Sequence, residues 1–208
     1  TLEAGNSLVF TKNEYQINKL LFTSNNKYIL INGMLSSDPS KTLTVELKNV
    51  NISEADPLTE LRQFDLDGIL NGNIEIVDAF NKISLITNLK VKNLGLNAQK
   101  LGDAEIVSVW DHRKKGLFIN AEIIFKGNVS ENRPVAIQGY YYPSTDSLDL
   151  TADLLNFRLK AIEKYLSAVL YKLEGFASGK LNIFGTLRRP EMAGNIKLMR
   201  TSVGVKEL

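Results

Sequence analysis

The 208-residue chain is 44% hydrophobic and 23% charged, the balance of an ordinary folded protein and not of a disordered one. Its net charge of +2, with no basic block and no acidic tail, gives nucleic acid no electrostatic footprint. The lack of cysteine excludes disulfides, thiolate metal sites and cysteine nucleophiles.

Period-two alternation dominates the chain and predicts strands with one apolar and one polar face. In chain order, Leu43-x-Val45-x-Leu47 is the first clear example, after turn signals at Asn25-Asn26 and at 36–39. A short helix is expected over about 56–64, where Asp56 suits the N-cap and Pro57 the first helical position. Asp67-Gly68 follows, where the chain can turn left-handed out of that helix. Ile74-x-Ile76 and Leu89-x-Val91 are strands again. A charged turn at 111–116 leads into Leu117-x-Ile119-x-Ala121-x-Ile123. Turn signals at 128–134 and 143–146 frame a strand containing Tyr140-Tyr141-Tyr142, and Leu148-x-Leu150-x-Ala152-x-Leu154 comes next. A second amphipathic helix is expected over about 160–172, from Leu159, Ile162, Leu166, Val169, Leu170 and Leu173 at helical spacing. Glu174-Gly175 then repeats the glycine turn, and Leu181-x-Ile183 returns to strand. Roughly twelve strands at hairpin-like spacing favour an antiparallel meander over parallel βαβ units.

The second half repeats the first. A shift of 107 residues lays Gly68 on Gly175, Gly72 on Gly179, Asn49 on Asn156, Leu47 on Leu154 and Ile76 on Ile183. Eight of the 34 positions from 43 to 76 are identical to their partners, where about two are expected by chance. This predicts a repeat architecture, with unit one over 1–101 and unit two over 102–208, each carrying one short helix. Packing of each helix on the sheet is favoured over a membrane-surface role, because Glu163 and Glu174 offset Lys160, Lys164 and Lys172. Both ends of the chain read as cut, so targeting or membrane-anchoring segments are expected outside it.

Catalytic and metal motifs are sparse. His112 is the only histidine and sits in a charged turn without convergent partners. Asp65-Leu66-Asp67-Gly68 has the wrong spacing for a calcium loop, and the repeat places Lys172 on Asp65. Gly68-x-x-x-Gly72 and Gly175-x-x-x-Gly179 precede strands and not a helix, so they mark close backbone approach in a sheet and not a dinucleotide site. The triplets at 51–53 and 128–130 match the glycosylation pattern, which often arises by chance. No carboxylate pair is placed for acid/base work, so the expectation is a protein that is not an enzyme and has no cofactor or metal.

The stretch from Leu173 to Leu198 reduces to L-x-G-x-x-x-G-x-L-x-I-x-G-T-L-x-x-P-x-x-x-G-x-I-x-L. It resembles the repeated C-terminal region of the TamB family, the inner-membrane component of the bacterial translocation and assembly module, grouped with the AsmA-like proteins. Unit one departs from this pattern, with Asp78 on Gly185 and Ile83 on Pro190. The resemblance implies a long, strongly curved antiparallel sheet folded as a taco-like half-pipe, apolar inside and polar outside. It also implies a periplasmic location with an inner-membrane anchor, an Omp85-type outer-membrane barrel partner, and a role in phospholipid transport or outer-membrane protein assembly.

An apolar half-pipe suits a phospholipid or a nascent outer-membrane β-strand as occupant. Its expected lining is one alternation set per strand: Ile74, Ile76, Leu89, Val91, Leu117, Ile119, Leu150, Leu154, Leu181 and Ile183. The sequence leaves open whether these side chains line an open groove or a closed, dry core. The competing readings are a carbohydrate-binding or surface β-module using Tyr140 to Tyr142 and Trp110, and a glycan-processing enzyme, for which an acid/base pair is missing.

Overall fold

The computed structural model describes residues 6–54, 65–126, 131–166 and 170–205. They form one sheet of twelve antiparallel strands, each hydrogen-bonded to its sequence neighbours, with the first and last strands unpaired to one another. The strands are β1 (Ser7–Phe10), β2 (Glu14–Ser24), β3 (Lys27–Ser36), β4 (Thr42–Asn51), β5 (Leu66–Val77) and β6 (Ser84–Leu96). They continue with β7 (Gln99–Asp111), β8 (Gly116–Lys126), β9 (Glu131–Tyr142), β10 (Ser147–Arg158), β11 (Leu170–Gly185) and β12 (Pro190–Val205). The sheet runs without a break through residues 101 and 102, which lie inside β7.

The expected alternation holds along the sheet. Leu43, Val45 and Leu47 share a face of β4, and their partners Ile76, Ile74 and Gly72 continue that face on β5. The opposite face carries Glu46, Asn73, Asn88 and Asn120 at matching levels, and ion pairs such as Lys90–Glu105 at 2.9 Å. This second face is more polar but mixed, since Ile86, Val109, Phe118 and Tyr140 form an apolar row on it across β6 to β9.

The helical expectations change. The first expected helix, about 56–64, lies outside the described residues. In place of the second stands a 3-10 turn, Leu159–Ile162, followed by a single α-helical turn, α1 (Glu163–Leu166). Residues 170–172, expected at the helix end, are already strand: Leu170 pairs with Val205 and Tyr171 with Gly204. Ladder bonds to β12 outweigh helical periodicity there, since a helix this short is marginal by itself. Gly68 and Gly175 likewise sit within β5 and β11 and do not close a helix.

A repeated device bends the strands. β2, β4, β6 and β10 each insert an extra residue with a left-handed backbone: Lys19, Asn49, Asn93 and Asn156. Such bulges leave an amide outside the ladder and kink the strand. A side chain on the next strand accepts each of these N–H groups. Asn32 Oδ1 serves Lys19 at 3.1 Å, and Asn71 Oδ1 serves Asn49 at 3.0 Å. Asp103 Oδ1 serves Asn93 and Ser178 Oγ serves Asn156, both at 2.9 Å. The Asn49 and Asn156 sites face Gly72 and Gly179 across the bulge, at φ +141° and +145°. A Cβ on Gly72 would stand 2.1 Å from the Asn88 carbonyl oxygen, so the neighbouring backbone occupies the space a side chain needs. Asn49/Asn156 and Gly72/Gly179 are the residues matched by the 107-residue shift.

Little is covered. The chain exposes 13383 Å², against roughly 9,700 Å² for a compact monomer of its mass. No large side chain among the described residues is fully buried. Among the described residues no second layer covers the sheet, and the densest packing is local, where 159–166 lies across the apolar face.

Candidate functional site

All ten side chains expected to line a groove lie on the same face. Ile76 and Ile74 pair with Leu85 and Thr87 on β6, beside Leu89 and Val91. Thr87 and Leu89 pair with Ser108 and Ile106 on β7, and those pair with Ile119 and Ala121 on β8. Leu117 and Ile119 pair with Tyr141 and Gly139 on β9, which in turn face Leu148 and Leu150. Leu150 pairs with Ile183, and Ala152 with Leu181, while Leu154 sits on the same face of β10. The register thus brings residues 74 to 183 into one apolar surface. Val91 is buried at 4% exposure, and the other nine are half-buried. Partial burial is what one sheet face gives when neighbours crowd it from the sides and the described connections cover only parts of it.

The surface extends beyond that set. Ile29, Ile31, Leu47, Val45, Ile17 and Phe22 continue it over β2 to β4, and Ile196 and Met192 carry it onto β12. The same alternation marks these residues in the sequence. One polar spot interrupts the face: the hydroxyls of Thr87 and Ser108 are buried and hydrogen-bonded to each other.

Two connections fold back over this face. Phe80, between β5 and β6, meets Tyr15 of β2 edge-on at 5.3 Å between ring centres. Strands three apart in a flat sheet are about 14 Å apart, so the hairpin tip reaches across. The 159–166 segment does the same at the other strand ends. Ala161 is wholly buried, packed among Val135, Phe157, Leu96, Leu101, Ile123 and Ile137. Leu159 packs on Leu173 and Ala177. Asn97 Nδ2 donates to the Ala161 carbonyl at 3.0 Å, and Leu173 N–H donates to Glu163 Oε1 at 3.1 Å. The ion pair with Lys160, followed by the Leu173 amide, holds the Glu163 carboxylate below its ordinary range. Next to this segment lies a pocket of about 120 Å³, lined by Leu101, Ile123, Phe125, Val135, Phe157 and Phe176 with Lys100, Asn132 and Arg158 at its polar margin.

The aromatic residues divide between the faces. Trp110 pairs with Leu117 and Tyr141 with Leu148, so both belong to the apolar face. Tyr140, Tyr142 and Phe118 lie on the polar face, Tyr140 stacked on Tyr142 at 5.9 Å and tilted against Phe118 at 5.2 Å. Lys114 Nζ sits 4.1 Å from the centre of the Tyr140 ring. The Tyr140 hydroxyl donates to Asp111 Oδ2 at 3.2 Å. Burial, then that contact, pushes the Tyr140 hydroxyl up. The Lys114 and Arg113 amides hold the Asp111 carboxylate below its usual range.

His112 lies in the exposed 112–115 turn. Among the described residues no group of three or more His, Asp and Glu side chains converges as a metal site. No helix of the described residues is long and apolar enough to cross a membrane. No family model, curated protein or solved structure matches the chain.

Proposed function

We propose that the chain is a non-enzymatic section of an apolar conduit in the bacterial envelope, a strongly curved half-pipe built from two similar units. Its occupant is a phospholipid acyl chain, and its relatives by sequence pattern are the TamB-like proteins. On this reading the parent protein is anchored in the inner membrane, crosses the periplasm and works with an Omp85-type barrel. The supporting observation is the apolar face that continues over the sheet, opposite a more polar face and without a second layer on it among the described residues. Bulges at matching levels of β4 and β10, together with connections that fold over the apolar side, favour curvature toward that side.

The energetics suit lipid carriage. Each acyl CH₂ moved from water onto this face gains about 0.8 kcal/mol, so a chain of ordinary length is held without any specific contact. The absence of a conventional motif follows, since apolar shielding needs no particular side chain. Tyr140 and Tyr142 offer a carbohydrate only part of a platform, because Lys114 sits against Tyr140 while Trp110 and Tyr141 belong to the other face.

Native mass spectrometry on the chain purified from a bacterial host tests the reading. Bound phospholipid is expected, and it should be lost in Ile119→Asp or Ile183→Asp with the circular dichroism spectrum unchanged. A wild-type chain that stays free of lipid after incubation with phospholipid vesicles refutes lipid carriage. Binding of an extended outer-membrane β-strand peptide by such a lipid-free chain would put the assembly role first.

A further inference from the structure

Strand order decides which connections share an edge. In a meander, alternate connections fall at the same end of the sheet. Residues 11–13, 37–41, 78–83, 112–115, 143–146 and 186–189 therefore lie together along one edge. They hold eight Lys or Arg residues against three Asp. Among the described residues, the connections at the opposite end, 25–26, 52–54, 65, 97–98 and 159–166, hold three acids against two bases. A net charge near zero for the whole chain thus conceals an edge whose hairpins sum to +5, against a near-balanced opposite end among the described residues. One lysine of the basic edge, Lys41, is matched by Glu14 at 2.6 Å. Lys12, Lys82, Arg113, Lys115 and Arg189 are exposed at their hairpin tips.

The apolar face changes character toward the same edge. Tyr15 and Trp110 stand on it one residue from the strand ends that lead into the Lys12 hairpin and the Arg113–Lys115 hairpin, and Tyr141 stands at the same level before the 143–146 turn. Toward the other edge the face is aliphatic and phenylalanine-lined, with Phe22, Ile29, Leu70, Ile123 and Phe157, and 159–166 closes over it. Along β2 and β7 the order is thus hydrocarbon, then Tyr15 or Trp110, then cations. Tyr and Trp favour a boundary where one side is apolar and the other wet. Hairpins recur every second strand, about 10 Å apart, close to the screening length of about 8 Å at physiological salt. The positive charge of this edge concentrates at two of them, 112–115 with three bases and 186–189 with two, while 37–41 and 78–83 are balanced and 143–146 carries only Asp146.

We infer that this edge is the headgroup side of the conduit and selects anionic phospholipids. The acyl chains point toward the 159–166 segment, and the phosphate and any further negative charge of the headgroup meet the Lys and Arg hairpins. The inference rests on the lipid-carrying reading and adds to it an orientation and a preferred lipid class.

The test uses vesicles of equal phosphatidylglycerol and phosphatidylethanolamine, incubated with the full chain, which is then repurified and analysed by native mass spectrometry. One contact between unit charges near 4 Å in water corresponds to about fivefold in occupancy, and phosphatidylglycerol should be enriched by at least about that factor. Added salt should shrink the enrichment. The variant Arg113→Glu/Lys114→Glu/Lys115→Glu, and independently Arg188→Glu/Arg189→Glu, should bring the bound ratio to about one. Two hairpins on separate strand pairs guard against a folding defect in either variant. Equal occupancy by the two lipids in the wild type overturns the headgroup assignment and leaves the conduit standing. A loss of vesicle co-sedimentation in the variants with no change in the bound ratio also overturns it, and assigns the edge to a membrane surface. If neither lipid binds the wild type, the conduit reading fails and this inference fails with it.

Discussion

Asn97 and Ala161, 64 residues apart, are joined by a side-chain hydrogen bond of 3.0 Å that ties the β6–β7 hairpin to the segment leaving β10. It is a contact between connections rather than between neighbouring strands, and Ala161 beside it is wholly buried. Removing the donor in Asn97→Ala should cost about 1 kcal/mol. Ala161→Asp should cost several, because it forces a larger, charged group into apolar surroundings. Hydrogen exchange should rise at 159–166 in both variants while β2 to β4 stay protected. Equal exchange in the wild type and in Ala161→Asp would show that the segment does not depend on this packing.

The glycines separate by what lies over them. Gly72→Ala should lower stability by about 2 kcal/mol or more, since its Cβ would meet the Asn88 carbonyl at 2.1 Å and φ is +141°. Gly179→Ala should behave alike, with the Asn195 carbonyl at 2.3 Å. Gly95→Ala should be nearly neutral, because its nearest contact is ordinary at 3.4 Å. Denaturant midpoints of the three variants check the order.

Thr87 and Ser108 form a coupled pair. Thr87→Val or Ser108→Ala alone leaves one buried hydroxyl without its partner and should cost about 1–3 kcal/mol. The double variant should cost less than the sum of the two, because both polar groups are then gone. Additive single effects in a double-mutant cycle would show that water already serves these hydroxyls.

Acid should loosen the 159–166 segment. Glu163 is held below its ordinary value near 4.5 by Lys160 and by the Leu173 amide. A carboxylate depressed on folding adds stability that is fully present above its unfolded pKa and is lost as pH falls through its folded pKa. Wild-type hydrogen exchange at 159–166 should therefore rise as pH drops from 5 toward 3, after correction for intrinsic exchange. Glu163→Gln should start looser and change less over the same range.

Some of this was legible in the residues. Alternation in Leu117-x-Ile119-x-Ala121-x-Ile123 and Leu148-x-Leu150-x-Ala152-x-Leu154 is a local, period-two signal, and each run became a strand with these residues on one face. Ten side chains chosen from separate strands fell on one surface because each strand's hydrophobic set fixes its own register. The helix over 160–172 was misjudged at its C-terminal part because helical spacing there coincides with a bulged strand at Lys172, and pairing with β12 decides between them. Asn97 and Ala161 carried no signal, since neither residue type at either position implies the other.

By itself the sequence determined the strand count, the amphipathic faces and the 107-residue echo, all of which follow from side-chain order along a few residues of extended backbone. Only the tertiary structure decided that the described residues leave much of the apolar face uncovered, that Asn97 donates to the Ala161 carbonyl, and that the basic hairpins gather along one edge. Those outcomes depend on strand order and on contacts between residues tens of positions apart. Loop closure and competing pairings set them, and no local periodicity encodes either.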